Sequence, residues 1–196
     1  MMRLKRRGTI LLLRWTGIVL LALVLAAFWF REELRDCVVD DTRFAPEIAA
    51  AARRNGLDPL LVRSVIFQES RFDPFARGRA GEVGLMQVLP SGAAAEWARV
   101  NGKPAPDVTE LLNPETNLKI GCWYLARGMR RYAKYRQGAE LALARYNAGE
   151  SRADKWKPAK FDGDVIDRIR IASTKRYVTK IMERYRNYLE EERRQQ

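Results

Sequence analysis

Glu69 closes an apolar helical stretch, Leu60-Leu61-Val62-Arg63-Ser64-Val65-Ile66-Phe67-Gln68-Glu69, and shares a face with Leu61 and Val65. The spacing i, i+4, i+8 stacks these side chains along one side of a helix. A carboxyl group placed there loses water, which favours its protonated form. A carboxylic acid still protonated near neutral pH can donate a proton in a reaction. The chain of 196 residues contains no histidine, so the commonest proton shuttle is missing and a carboxyl group is the first candidate for acid–base chemistry. Asp73 precedes Pro74 and reads as a turn residue. Glu82, two residues before Gly84, is the best candidate for a partner carboxylate. Periodicity alone leaves equally open a Glu69 turned to solvent at a helix end. Two cysteines without a histidine make a protein-built zinc site improbable.

The elements that must position these groups are helical throughout, with no alternating strand pattern. Phe44 to Arg54 forms a first helix, stopped by Asn55-Gly56. Asp58-Pro59 caps and opens the helix that carries Glu69. Ser70 to Val83 is a loop, Leu85 to Leu89 a short helical piece, and Ser91 to Val100 another helix. Asn113-Pro114 opens a long helix to about Tyr135, Gly138 to Asn147 is the next, and Arg152 to Asp164 is irregular. Ser173 or Thr174 caps a closing helix toward Glu192. Cys122 lies on a stripe with Leu118, Gly121, Leu125, Met129 and Tyr132 and reads as a small buried hydrophobe rather than the partner of Cys37. The class is all-α, one compact multi-helix domain over residues 43–196.

Before that domain, residues 1–30 read as an N-terminal transmembrane signal anchor, and residues 31–42 as a charged connector. Arg3, Lys5, Arg6 and Arg7 precede an apolar run from Thr9 to Phe30, broken by Arg14. Ala26-Ala27 is followed by bulky Phe28-Trp29-Phe30, which suits an uncleaved anchor better than a cleaved signal peptide. The basic residues at the start place the N-terminus in the cytoplasm and the domain outside it. A net charge of +12 attracts polyanions. With the domain outside the cytoplasm, nucleic acid is the least expected of them.

Four segments stand together in this helical frame: Glu69-Ser70-Arg71-Phe72; Gly84-Leu85-Met86-Gln87 with Pro90-Ser91; Asn117-Leu118-Lys119-Ile120-Gly121 with Tyr124-Leu125; and Arg145-Tyr146-Asn147-Ala148-Gly149. In this order they closely resemble the catalytic domain of the lytic transglycosylases, lysozyme-like enzymes that cleave bacterial peptidoglycan. The resemblance covers roughly Asp58 to Tyr188. It implies that Glu69 is the sole catalytic acid and base at the bond between N-acetylmuramic acid and N-acetylglucosamine, leaving a 1,6-anhydro end without metal or cofactor. It gives peptidoglycan strands as the partner and, joined to the anchor read from residues 1–30, places the domain in the bacterial cell envelope, held at the cytoplasmic membrane.

By the same resemblance Gly84, Leu85, Met86 and Gln87 belong to the muramyl subsite. Tyr146 lies close to the carboxyl, Asn147 holds sugar groups, and Ser70 orients the acid or the acetamido group. In the closing helix Tyr177-Val178 fits the family, while Ser173 stands where an acidic residue is usual; Tyr177 is a candidate cleft residue. Among the aromatics, Trp156 is the one to test for sugar stacking. Two alternatives remain at this stage. One is a goose-type-lysozyme-like hydrolase of the same bond, with water held by Glu82 or Asp73. The other is a non-catalytic peptidoglycan-binding scaffold.

Overall fold

The computed structural model describes residues 15–16, 18–27 and 39–195. The chain divides into two units, Met1–Val39 and Asp40–Gln196. In the first unit, residues 18–27 are helical, with Ile18, Val19, Leu20, Leu21, Leu23, Val24 and Leu25 exposed. Among the described residues no helix is long and apolar enough to cross a membrane. Most of the expected anchor, and Cys37, lie outside the described residues.

The second unit is all-helical; among the described residues its extended pairing is confined to isolated bridges, Arg77 with Val83 and Val83 with Val88. Helix α1 (Ala45–Asn55) ends at Gly56, which takes the left-handed conformation at φ 66°. Helix α2 (Pro59–Ser70) starts as the Asp58-Pro59 pair predicts, with the Asp58 side chain accepting from Leu60 N at 2.8 Å. A π-helical turn (Pro90–Ala94) leads into α3 (Ala95–Asn101). A short α4 (Val108–Leu111), not expected from the sequence, is held by a capping box between Asp107 and Glu110. Helix α5 (Pro114–Arg131) is capped by Asn113, then follow α6 (Gly138–Ala148) and α7 (Glu150–Lys155). A 3₁₀ turn (Ile166–Arg168) precedes α8 (Ala172–Gln195).

Helix α8 packs against both α2 and α6, and α5 packs against α6 and α1. The core between them includes Val62, Val65, Ile66, Leu118, Ile120, Leu125, Leu141, Leu143, Val178 and Ile181, each at most 1% exposed. Cys122 is fully buried there as a free thiol, and burial pushes its pKa up to about 12.

Four sequence expectations change. Leu85 to Leu89 is a turn rather than a helical piece. Residues 150–155 form α7, where an irregular stretch was expected from Arg152. Helix α8 starts at Ala172, so Ser173 and Thr174 lie inside its first turn rather than capping it. Asp41, assigned to the connector, is fixed in the compact unit by Arg63 at 2.6 Å and by the Tyr188 hydroxyl at 2.6 Å. The Arg63 guanidinium also lies over the Tyr188 ring, 4.0 Å from its centroid.

Candidate active site

Glu69 occupies the last turn of α2, where the chain reverses sharply. Arg71 and Phe72 both have positive φ, 50° and 64°. Such conformations are costly for non-glycine residues and persist where the surroundings over-determine them. Here Phe72 is buried and meets Phe67 edge-on at 6.3 Å, so apolar packing holds the reversal. The Ser70 hydroxyl donates to Leu85 O at 2.8 Å. Its bond is thus to the main chain of the 83–88 turn, which it fastens to the end of α2.

That turn is held from behind by Asn117 of α5, which is fully buried. Its Oδ1 accepts from Met86 N at 2.8 Å, and its Nδ2 donates to Val83 O at 2.7 Å and Leu111 O at 2.8 Å. Gly84 has φ 76°, and a Cβ there would overlap the Asn117 carboxamide. Leu85 and Met86 have no exposed surface, so their side chains lie behind the cleft rather than in it. Gln87, at φ 46°, is the residue of this segment that lines the cavity, its Nε2 bound to Gly84 O at 3.0 Å and Ala76 O at 3.2 Å.

A cavity of about 220 Å³ opens beside the acid, lined by Glu69, Gly78, Arg79, Glu82, Gln87, Tyr146 and Asn147. A second, of about 230 Å³, shares Glu82, Gln87, Tyr146 and Asn147 and continues to Leu89, Tyr124 and Gly149. Shared walls make the two compartments of one groove. Helix α6 supplies its far side with Tyr146 and Asn147, and α8 contacts the walls through Thr174 and Tyr177. The Tyr146 hydroxyl donates to Met86 O at 2.8 Å, and its ring meets Tyr124 edge-on at 5.5 Å. Thr174 Oγ1 donates to Asn147 Oδ1 at 2.8 Å. The Tyr177 hydroxyl donates to Glu69 Oε1 at 2.6 Å.

Burial raises the Glu69 pKa from 4.5 to about 7, against the Tyr177 hydrogen bond, which lowers it; the charge of Glu82 raises it further. Burial thus favours the protonated form of Glu69 well above the pH at which an ordinary glutamate ionises. Burial, together with the charge of Glu69, holds Tyr146 and Tyr177 as neutral phenols. Glu82 is placed by Ala80 N, which donates to its Oε2 at 3.0 Å, and Gly78 leaves room for both the carboxylate and the Gln87 carboxamide. Asp73 instead accepts from Phe75 N at 2.9 Å in an exposed turn and does not line the groove.

The fold thus brings Glu69, Gln87, Tyr146, Asn147 and Tyr177 to one groove, with Ser70 and Gly84 supporting it. Trp156 is elsewhere: it is 6% exposed, a core residue rather than a sugar platform. Sequence reasoning missed Asn117 and Thr174 as positioning residues. Asn117 could have been found from its place in the third segment, since a polar residue on the apolar face of α5 needs buried partners.

Comparison with known proteins places this groove among relatives. The profile of the "Transglycosylase SLT domain" family matches residues 46–167. Membrane-bound lytic murein transglycosylase E of Buchnera aphidicola is 40% identical over 80 residues, which cover 40% of this chain and 36% of the relative. Membrane-bound lytic murein transglycosylase F of Desulfosudis oleivorans is 38% identical over 110 residues, 55% of this chain and 22% of the relative. The chain thus spans less than half the length of these relatives. An inactive mutant of lytic transglycosylase Slt from Pseudomonas aeruginosa superposes with a TM-score of 0.64 at 28% identity, covering 74% of this chain and 23% of that one. The 70 kDa soluble lytic transglycosylase of Escherichia coli gives a TM-score of 0.65 at 24% identity over 76% of this chain and 25% of that one, a likeness of fold. With the profile spanning more than half of its residues, and the helical frame of the solved transglycosylases around its groove, the chain belongs to the transglycosylase SLT-domain family.

Proposed function

We propose that the chain is a peptidoglycan lytic transglycosylase in which Glu69 acts first as acid and then as base. The observation that carries this reading is a carboxyl group on the wall of a groove, hydrogen-bonded by the Tyr177 hydroxyl at 2.6 Å and pushed toward its protonated form by burial. In the first step the Glu69 proton passes to the glycosidic oxygen between N-acetylmuramic acid and N-acetylglucosamine, and the bond from that oxygen to the muramyl anomeric carbon breaks. The neighbouring acetamido group stabilises the sugar cation, an exception to the two-carboxylate scheme. Glu69, now a carboxylate, takes the proton of the muramyl 6-hydroxyl as that oxygen closes on the anomeric carbon. Glu69 ends protonated again, and no water is consumed.

The surrounding residues suit both halves of this cycle. Tyr177 stabilises the carboxylate form at 2.6 Å, while burial stabilises the acid form. Asn147 has its oxygen fixed by Thr174, so its amide N–H groups are the end offered to sugar acceptors. Gln87 and Tyr146 wall the groove where a muramyl residue would sit. Residues 1–30 serve in this reading as an anchor in the cytoplasmic membrane, with the catalytic unit in the envelope outside. The basic Met1–Arg7 segment before an apolar run supports it, as do relatives whose names call them membrane-bound.

One observation favours a second reading, hydrolysis. Glu82 shares the cavity with Glu69 and is the carboxylate placed to hold a water there. Mass spectrometry of products from purified peptidoglycan separates the two. Muropeptides ending in 1,6-anhydromuramic acid, absent with Glu69→Gln, are the expected result. Reducing ends would establish the hydrolase, and unchanged cleavage by Glu69→Gln would refute the role of the acid.

A further inference from the structure

A third cavity, of about 520 Å³, is lined by Arg127, Arg130, Arg131, Arg145 and Glu150. Three of these arginines come from one face of α5 at spacings of three and four residues. Arg145 forms the floor: its side chain is 3% exposed, its Nε meets Glu150 at 2.9 Å, and its Nη1 donates to Tyr124 O at 3.2 Å. Buried guanidinium groups demand acceptors, and those present are heavily shared. Glu96 serves Arg127 at 3.0 Å and Arg145 at 3.9 Å. Glu150 serves Arg145 and Arg131, the latter at 3.4 Å. Asp154 serves Arg131 at 2.6 Å, Lys157 at 3.2 Å and the Tyr132 hydroxyl at 3.0 Å.

The cations Arg127, Arg130, Arg131, Arg145 and Lys157 thus face the carboxylates Glu96, Glu150 and Asp154, an excess of positive charge. Four guanidinium groups carry about twenty N–H donors between them, more than three carboxylates accept. Two groups keep donors to spare. Among the described residues Arg127 Nε is buried without a hydrogen-bond partner, and the exposed Arg130 makes no ion pair. Buried polar atoms without partners are rare in folded chains, and a bidentate oxyanion suits such a fork of donors.

The cavity adjoins the groove. Tyr124, a wall of the groove, lies beneath the Arg145 guanidinium at 4.3 Å from its ring centroid, and Glu150 directly follows Gly149 of the groove. We propose that this arginine-lined cavity binds carboxylates of the peptide stem carried by the glycan, with Arg127 and Arg130 as the receiving groups. The inference rests on the peptidoglycan reading above, since that substrate carries acidic peptides branching from its muramyl residues.

The test titrates the stem tetrapeptide, released from peptidoglycan by an amidase, into the full chain, its Arg130→Gln variant and the Arg127→Gln/Arg130→Gln variant. Binding that weakens with salt, and that falls about ten-fold in the double variant, is expected for lost charge-assisted hydrogen bonds. Arg130→Gln alone, at an exposed position without an ion pair, should lose several-fold and leave folding intact. No measurable binding by the wild-type chain, or binding by both variants as tight as that of the wild type, overturns the proposal. A second arm compares kcat/KM on peptide-bearing glycan with that on glycan stripped by the amidase. The ratio should fall about ten-fold in the double variant, and an unchanged ratio overturns the proposal. Failure of the peptidoglycan reading shows itself separately, as no cleavage of either glycan by the wild-type chain, and the peptide titration still decides the cavity.

Discussion

Replacing Glu69 by glutamine should stabilise the domain, and the gain should depend on pH. The folded chain holds the Glu69 proton with a pKa of about 7, against 4.5 for an ordinary glutamate. The folded state therefore binds more protons than the unfolded state across that interval, so stability falls as pH rises from about 4.5 to about 7. At about 1.4 kcal/mol per pH unit, the loss comes to about 3 kcal/mol once Glu69 is ionised. Glutamine keeps the shape and the acceptor for the Tyr177 hydroxyl but does not ionise. Glu69→Gln should match the wild type near pH 4.5 and exceed it by about 3 kcal/mol at pH 8, roughly 6–10 °C in midpoint for a domain of this size. Thermal unfolding of both proteins from pH 4 to 8 reads the difference directly. A gain that does not change with pH, or a loss at pH 8, would mean that Glu69 is not held in a water-poor site. Glu69 would then lack the raised pKa that an acid role requires, whatever its effect on glycan.

Tyr177→Phe removes the donor that stabilises the Glu69 carboxylate, so the pKa should rise and the high-pH limb of kcat/KM should move up by about one unit; a limb that stays or moves down refutes the assignment. Gly84→Ala puts a Cβ into the Asn117 carboxamide at φ 76° and should cost roughly 2–4 kcal/mol in urea unfolding. Asn117→Ala strips partners from Met86 N, Val83 O and Leu111 O and should cost about 3 kcal/mol by the same measurement, although Asn117 does not line the groove.

How much of this was legible in the sequence follows from the range of the interactions. The position of Glu69 on its helix, the Asp58-Pro59 start and the Asn113-Pro114 start are encoded within a few residues, and each is found where local rules put it. Leu85-Met86-Gln87-Val88-Leu89 has apolar residues at helical spacing, yet its backbone is set by Asn117, thirty-one residues from Met86, and by Gly84 and Gln87 at positive φ. A local pattern carries no trace of that partner. Helix α7 fails in the other direction. Glu150–Lys155 is charged and shows no apolar period, but Ala153 is buried and Asp154 is held by Arg131, so tertiary contacts supply what propensity lacks.

Helix α8 shows how a departure in sequence can leave the contacts of the groove in place. Ser173, where the resemblance leads one to expect an acidic residue, is exposed. The next residues on the buried face, Thr174 and Tyr177, are three apart and reach opposite walls of the groove, Asn147 on α6 and Glu69 on α2. One helix thereby fixes both the Asn147 carboxamide and the Glu69 carboxyl. The role proposed for Glu69, giving a proton and then taking one, is served best when neither form is strongly favoured at the working pH. Burial alone would overshoot toward the acid form. The Tyr177 hydroxyl pulls it back, and the balance lies at about 7. The tuning of Glu69 is therefore a property of how α2 and α8 pack together, and no residue of α2 by itself determines it.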